Sequence, residues 1–284
     1  MTRRPRATLD EVRSFYAKMM AAASDSADER LERIFEVVPR EAFLGPGPWR
    51  IMAHNLRYLE TPSADPIHLY QNVVVALDAA KGINNGEPFL HGAWIGASAP
   101  KAGDRICHVG AGMGYYTALL SMLALPRGSV HAFEIDENLA RRAGENLEPF
   151  EGVSVTHGDA TALPLSASDL IYVNAGVVAP PVSWLEALRQ GGRMIFPWRP
   201  VESVALTLLV TRVEAAFKVR PLMPAWFIPC VGASDANQCM RVPSIAEARA
   251  IRSMRLTSDQ EPDETAVAIF PEVWFSTADL SGNS

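Results

Sequence analysis

The sequence predicts an α/β fold organised around a doubly wound, mostly parallel sheet, and three observations carry that expectation. From Asp104 onward, short β-branched runs alternate with helical patterns of about 10 to 15 residues, which requires right-handed crossovers between parallel strands. Three glycines, Gly110, Gly112 and Gly114, stand where the first of these runs gives way to an apolar helix. Polar side chains then close the strands that follow, at Glu134, Asp159 and Asn174. With 284 residues and 48% hydrophobic content, the chain is long enough to bury a sizeable core.

Helices come first. Val12, Phe15, Tyr16 and Met19 follow the i, i+3, i+4, i+7 spacing, and Leu31, Ile34, Phe35 and Val38 repeat it up to Pro39. A third helix is expected from the N-cap Asp65 and Pro66 to Gly82, with Leu69, Val73, Ala76, Leu77 and Ala80 on one stripe. The prolines and glycines of "GPGPWRIMAHNLRYLETPSADP" make the segment before it a long, lid-like connection. In the alternating region, "DRICHVG", "SVHAFEID", "VSVTHGD", "DLIYVNAG" and "RMIFPW" read as strands. Between them "YYTALLSMLAL", "ENLARRAGENL" and "VSWLEALRQ" read as helices; the first turns Tyr116, Leu119, Leu120 and Leu123 inward, and Gly191 and Gly192 close the last. "VALTLLVTRV" and "KVRPLMPAWFIPC" have strand character with no helix between them, which fits an antiparallel pair at one sheet edge. "SIAEARAIRSM" reads as a helix, followed by the apolar "AVAIFPEVWFS". The expected organisation is an N-terminal helical region over 1–64, a ligand-binding domain over 65–232 and a C-terminal extension over 233–284.

A net charge of −6 offers no basic face for nucleic acid. The basic start "MTRRPR" has no apolar run behind it and no segment approaches a membrane span, so a cytoplasmic protein without membrane attachment is expected. Cys107, Cys230 and Cys239 lack paired spacing, which argues against both a disulfide framework and a metal site.

The glycines sit where a parallel sheet presents its carboxyl edge to a ligand. Glycine removes the Cβ that would block close approach, so a nucleotide-like ligand is expected against main-chain N–H groups at a helix N-terminus. Dinucleotide folds want G-x-G-x-x-G; this chain reads G-x-G-x-G, the spacing of S-adenosyl-L-methionine (SAM) methyltransferases, and a nicotinamide oxidoreductase is correspondingly disfavoured. Glu134, about 20 residues beyond the loop, is placed to accept from both ribose hydroxyls. Asp159 is expected beside the adenine amino group and Asn174 facing the reacting methyl.

"VPREAFL", "VGAGMGYYTALLSML", "GGRMIFPW" and "WFIPCVG" together resemble the protein-L-isoaspartate O-methyltransferases, a branch of the Rossmann-like class I SAM-dependent methyltransferases, over about Val38 to Gly232. The resemblance implies a seven-stranded sheet and a methyl donor held by Gly110, Ala111, Gly112, Gly114, Glu134 and Asp159, with Tyr115, Ile135, Ala160 and Asn174 beside them. His108 stands where most members have an acidic residue contacting the donor. The family's substrate loop, threonine, isoleucine, serine, any residue, proline, aligns with "NNGEP", so Gly86 replaces its serine. Isoaspartyl repair is one expectation, O-methylation of another small-molecule or peptide acceptor a second, and a donor-binding module without catalysis a third. Acceptor-side candidates are Asn84, Asn85 and Glu87, then Tyr70 and Gln71, with His54 and His91 as possible bases. "PAWFIP" could border the acceptor pocket. "NAGVVAPP" lacks the Asn-Pro-Pro-aromatic motif of amino-directed nucleic-acid methyltransferases.

Overall fold

The structure, a computed structural model, describes residues 7–53 and 57–280. Helix α1 (Leu9–Ser24) begins at a capping box in which Thr8 and Glu11 satisfy each other's backbone N–H groups. It buries Tyr16, Ala17 and Met20, one step round from the expected stripe, and leaves Phe15 exposed. In α2 (Arg30–Val37), Leu31, Ile34 and Phe35 are buried as their spacing predicts.

The expected helix from Pro66 to Gly82 does not form. Asp65 caps by accepting from the Ile67 N–H, but only a short 3-10 turn, Pro66–Leu69, follows. The reason is Arg40, a buried guanidinium that donates to the carbonyls of Leu69, Gln71 and Val73, the acceptors a helix would have used. The chain here makes two small hairpins instead: β1 (Arg50–Met52) pairs with β2 (Tyr58–Glu60), and β3 (Ala76–Asp78) with β4 (Ile83–Asn84). Helix α3 (Pro88–Ser98) then starts on Pro88 and was not visible as a periodic stripe, because it is apolar nearly all round. It lies so close to α1 that a Cβ on Gly96 would stand 1.8 Å from the Ser24 carbonyl oxygen.

The predicted alternation is present in β5 (Arg105–Val109), α4 (Tyr115–Ala124), β6 (Ser129–Glu134), α5 (Glu137–Leu147), β7 (Val153–His157), β8 (Ser168–Val173), α6 (Val182–Ala187) and β9 (Leu188–Val201). These strands pair in parallel in the order β7-β6-β5-β8-β9, so the strand order reverses between β5 and β8, where doubly wound sheets bind ligands. Helix α6 is shorter than expected: the backbone turns to strand at Leu188, and Gly191 and Gly192 lie inside β9 where its pairing with β8 shifts register.

Strands β10 (Val204–Val213) and β11 (Ala216–Pro221) continue the sheet antiparallel. The second stops at Pro221; the rest of "KVRPLMPAWFIPC" is irregular, tied to the sheet by a bridge between Gly176 and Pro229. This pair is not the edge. Helix α7 (Ile245–Ala250) ends earlier than expected, and β12 (Ser253–Leu256), β13 (Ala266–Ile269) and β14 (Val273–Ser276) extend the same sheet. The seven strands β5 to β11 therefore belong to a sheet of ten, ordered β13-β14-β12-β11-β10-β9-β8-β5-β6-β7. No helix among the described residues is long and apolar enough to cross a membrane.

Candidate active site

The carboxyl ends of β5, β6, β7 and β8 open on one cavity of about 1200 Å³. That exceeds the roughly 300–1,000 Å³ of an ordinary small-molecule site, which leaves room for a second ligand. Gly110, Ala111 and Gly112 follow β5, Glu134 ends β6, Asp159 lies just past β7 and Asn174 just past β8; all line the cavity, together with Tyr115, Ile135 and Ala160.

The glycine loop differs from expectation in what its N–H groups do. Gly110 and Ala111 both donate to the Phe133 carbonyl at 2.9 and 3.1 Å, and Gly114 donates to Ala111 at 2.9 Å. Gly112 donates to Glu134 Oε2 at 2.7 Å. These groups are spent inside the protein, so the glycines contribute shape. Gly112 has φ +57, and a Cβ there would stand 3.1 Å from Leu77 Cδ1. Gly114 does not line the cavity; with φ +96 it seats α4 on α5, where a Cβ would meet Leu147 Cδ1 at 2.7 Å.

Glu134 is buried and does two things at once. Its Oε2 takes the Gly112 N–H and its Oε1 takes the Asp136 N–H at 3.0 Å, so it braces the loop while keeping further lone pairs on the cavity side. Burial raises its pKa against the pull of those N–H donors. Asp159 also combines roles: Oδ1 closes an Asx turn by accepting from the Thr161 N–H and hydroxyl, both at 2.8 Å, at the cavity wall.

His108 is not on the wall. It is 0% exposed and lies behind Asn174, whose Nδ2 donates to its Nε2 at 2.8 Å, while Nδ1 faces Thr117 Oγ1 at 2.8 Å. Burial pushes its pKa down to about 3, so it is a neutral ring that orients Asn174. Asn174 Oδ1 is buried without a hydrogen-bond partner among the described residues.

At the acceptor end, Asn84, Asn85 and Glu87 line the cavity, but their polar atoms build the loop. Asn84 Oδ1 accepts from the Gly86 N–H at 2.9 Å and Asn85 Oδ1 from the Val75 N–H at 2.8 Å. Glu87 Oε1 accepts from Asn72 Nδ2 at 2.6 Å. Tyr70 lies away from the cavity, bonded to Glu41 and Arg13; Gln71 is exposed and donates to the His68 carbonyl. His54 falls outside the described residues. His91 lines the cavity but is no base: burial, with His108 and Arg40 nearby, drives its pKa well down.

Some wall residues escaped the sequence reading, while others lie in the stretch "PAWFIP" that it named. Arg199 lines the cavity, and its guanidinium has no hydrogen-bond or ion-pair partner among the described residues. Trp226, Ile228 and Val231, exposed by 66%, 42% and 57%, form an apolar rim, as the aromatic "PAWFIP" suggested. Lys81 ties the β3–β4 hairpin to the start of α5 through Asp136 at 2.5 Å. The Cys230 thiol on the wall is pushed up to about 12 by burial and by Asp159, so it stays protonated. Of the wall residues that the sequence reading missed, Arg199 carried a signal, a lone charge directly behind the apolar run "RMIFPW".

Comparison with known proteins accords with this geometry. Residues 22–235 match the family described as protein-L-isoaspartate(D-aspartate) O-methyltransferase. A protein-L-isoaspartate O-methyltransferase of Aeropyrum pernix is 32% identical over 189 residues, covering 62% of this chain and 73% of its own. Protein-L-isoaspartate O-methyltransferase 2 of Anaeromyxobacter sp. (strain Fw109-5) is 29% identical over 231 residues, covering 79% and 85%. Among solved structures, a protein-L-isoaspartate O-methyltransferase superposes with TM-score 0.67 at 19% identity over 93% of this chain and 87% of that one. A putative one from Plasmodium falciparum, in complex with S-adenosyl-L-homocysteine, gives 0.61 at 16% identity over 77% and 97%. At those identities the structures speak for the fold; the family match, with the strand-end residues gathered on one cavity, shows that the chain belongs to the protein-L-isoaspartate O-methyltransferase family of SAM-dependent methyltransferases.

Proposed function

We propose that this cleft binds SAM and that the chain directs its methyl group to a carboxylate oxygen of an anionic acceptor other than a general isoaspartyl peptide. The observation that carries the reading is one cavity lined both by the four strand-end positions and by the unpaired Arg199. The residues fit such a ligand: the glycine floor has no Cβ in the way, and the unpartnered Asn174 Oδ1 is a buried acceptor suited to a ligand N–H. Glu134 would take the ribose hydroxyls on its remaining lone pairs, Asp159 the adenine amino group, and Ile135, 47% exposed, would offer the base an apolar face.

When bound, the donor supplies a sulfonium methyl whose S–C bond breaks with its electron pair on sulfur as the new O–C bond forms, and no proton moves. The protein's share is therefore alignment and exclusion of water. A carboxylate acceptor needs no base, which suits a cavity where His91 is neutral and buried and Cys230 is protonated. Arg199, which lines the same cavity, supplies a positive charge for such an anionic acceptor. The apolar rim suits a peptide segment flanking the reacting group. Gly86, without the hydroxyl that the family resemblance places there, supports a specialised acceptor. Isoaspartyl peptide itself is the second reading, favoured by the names of the relatives.

Labelled SAM tests this against isoaspartyl peptide and a panel of carboxyl-bearing peptides and small acids, with an authentic repair enzyme as control. We expect an alkali-labile methyl ester on a panel member and weak transfer to isoaspartyl peptide. Transfer to isoaspartyl peptide matching the control overturns the specialised acceptor. An alkali-stable product overturns the carboxylate.

A further inference from the structure

Resting on that reading, we infer that the Nε2–H of His91 is the hydrogen-bond donor that holds the acceptor's carboxylate, and that residue 86 is glycine because the imidazole takes the space its side chain would fill. The volume argument is direct. An ideal Cβ on Gly86 would lie 2.2 Å from His91 Nε2 and 2.7 Å from its Cδ2, so a side chain at 86 and this placement of the ring exclude each other. Gly86 also has φ +74, a backbone that L side chains rarely adopt. One oxygen of each of Asn84, Asn85 and Glu87 is engaged in holding the loop.

The ring's orientation follows from what surrounds it. His91 lies in the first turn of α3, stacked on Tyr116 with centroids 3.6 Å apart and planes at 18°, and its Nδ1 is 2.9 Å from the Tyr172 hydroxyl. Tyr172 is fully buried and its hydroxyl has no other partner among the described residues. Either tautomer leaves one donor without a protein acceptor, the Tyr172 O–H sealed in the core or the Nε2–H of a ring that lines the cavity; only the second can be met by water or ligand, so the phenol donates to Nδ1 and the ring proton sits on Nε2. That N–H has no partner among the described residues, although His91 is only 1% exposed and lines the cavity. A neutral donor there can orient a carboxylate oxygen for in-line attack without removing a proton, and a bond to a charged acceptor is of the strong kind. Burial, which keeps the ring neutral, agrees with this.

The test has one arm that needs no acceptor and one that does. Long-range ¹H–¹⁵N NMR on the chain saturated with S-adenosyl-L-homocysteine should report the Nε2–H tautomer of His91; the Nδ1–H tautomer overturns the inference. Gly86→Ser should melt lower than wild type, and Gly86→Ser combined with His91→Ala should melt higher than Gly86→Ser alone. Simple addition of the two losses overturns the shared volume. For turnover, a short isoaspartyl peptide with labelled SAM is the probe. His91→Phe keeps an aromatic ring on Tyr116 but removes the donor, so kcat/KM should fall at least tenfold, mainly through KM, with homocysteine-product affinity unchanged. His91→Gln, which retains an amide donor, should recover part of that loss. Equal KM in wild type and His91→Phe overturns the donor role. A wild type that binds the product but methylates no isoaspartyl peptide agrees with a different acceptor, and the NMR and melting arms then decide this inference alone.

Discussion

Replacing Glu134 by alanine should weaken the fold and the donor site together, by separable amounts. The carboxylate receives the Gly112 N–H at 2.7 Å and the Asp136 N–H at 3.0 Å from a position only 7% exposed. Stranding buried donors costs about 1–3 kcal/mol each at the upper end, and the exposed side of the loop can relax toward water, so a total of about 1–3 kcal/mol is expected. For a chain of this size that lowers Tm by roughly 2–4 °C per kcal/mol. The ribose contacts add their own loss of about 1–3 kcal/mol, or roughly 5- to 150-fold in Kd for S-adenosyl-L-homocysteine. Glu134→Gln, which keeps one acceptor oxygen but turns an amide N–H toward the other donor, should fall between. Isothermal titration at a temperature where circular dichroism shows each variant folded separates the effects. An Ala variant that binds within twofold of wild type refutes the ribose role; one that melts with wild type refutes the brace.

Other substitutions probe the remaining walls. Gly112→Val places a β-branched side chain at φ +57 against Leu77, and should abolish measurable product binding by titration; near-normal affinity takes the loop out of the site. Arg199→Ala should raise KM for an anionic acceptor about tenfold with product affinity unchanged, and an unchanged KM removes its role as counter-charge. The buried neutral histidines make the fold acid-sensitive. His108 falls from the ordinary 6.5 to about 3 on folding, so its contribution is intact above pH 6.5 and is lost progressively as pH falls toward 3. At about 1.4 kcal/mol per unit this is up to about 5 kcal/mol, and His91 acts in the same direction, whereas the raised Glu134 opposes both. Denaturant unfolding between pH 7 and 4.5 should show the loss, and His108→Gln should reduce the slope by up to one proton; an unchanged slope contradicts a buried neutral His108.

The parallel half of the sheet was legible because its signals are local: each strand is a short apolar run, and its cavity-lining residue is the next polar one, at Glu134, Asp159 and Asn174. The segment from Asp65 to Gly82 was misread because its fate is decided at a distance. Its stripe of Leu69, Val73, Leu77 and Ala80 has helical spacing, yet Arg40, some thirty positions earlier, claims the carbonyls, and Asn85 takes the Val75 N–H. Helix α3 was hidden for the opposite reason. Buried on most sides, it has no polar face to set its period, and its glycines reflect contact with α1 rather than a loop. In the site, residue type suggested that Asn84, Asn85 and Glu87 would meet substrate, but side chains of that kind also build turns, and here they do. His91 was one histidine among six in the sequence. Its position became informative only with Gly86 and Tyr172 around it.

The central claim is that the cleft at the ends of β5, β6, β7 and β8 is a SAM site, and product titration tests it most directly. S-adenosyl-L-homocysteine should bind the wild-type chain at one site per chain. At a hundredfold excess over Kd it should stabilise by about 2.7 kcal/mol, raising Tm by roughly 5–10 °C, while NAD gives no comparable shift. No heat and no shift with S-adenosyl-L-homocysteine, or a shift with NAD alone, contradicts the account.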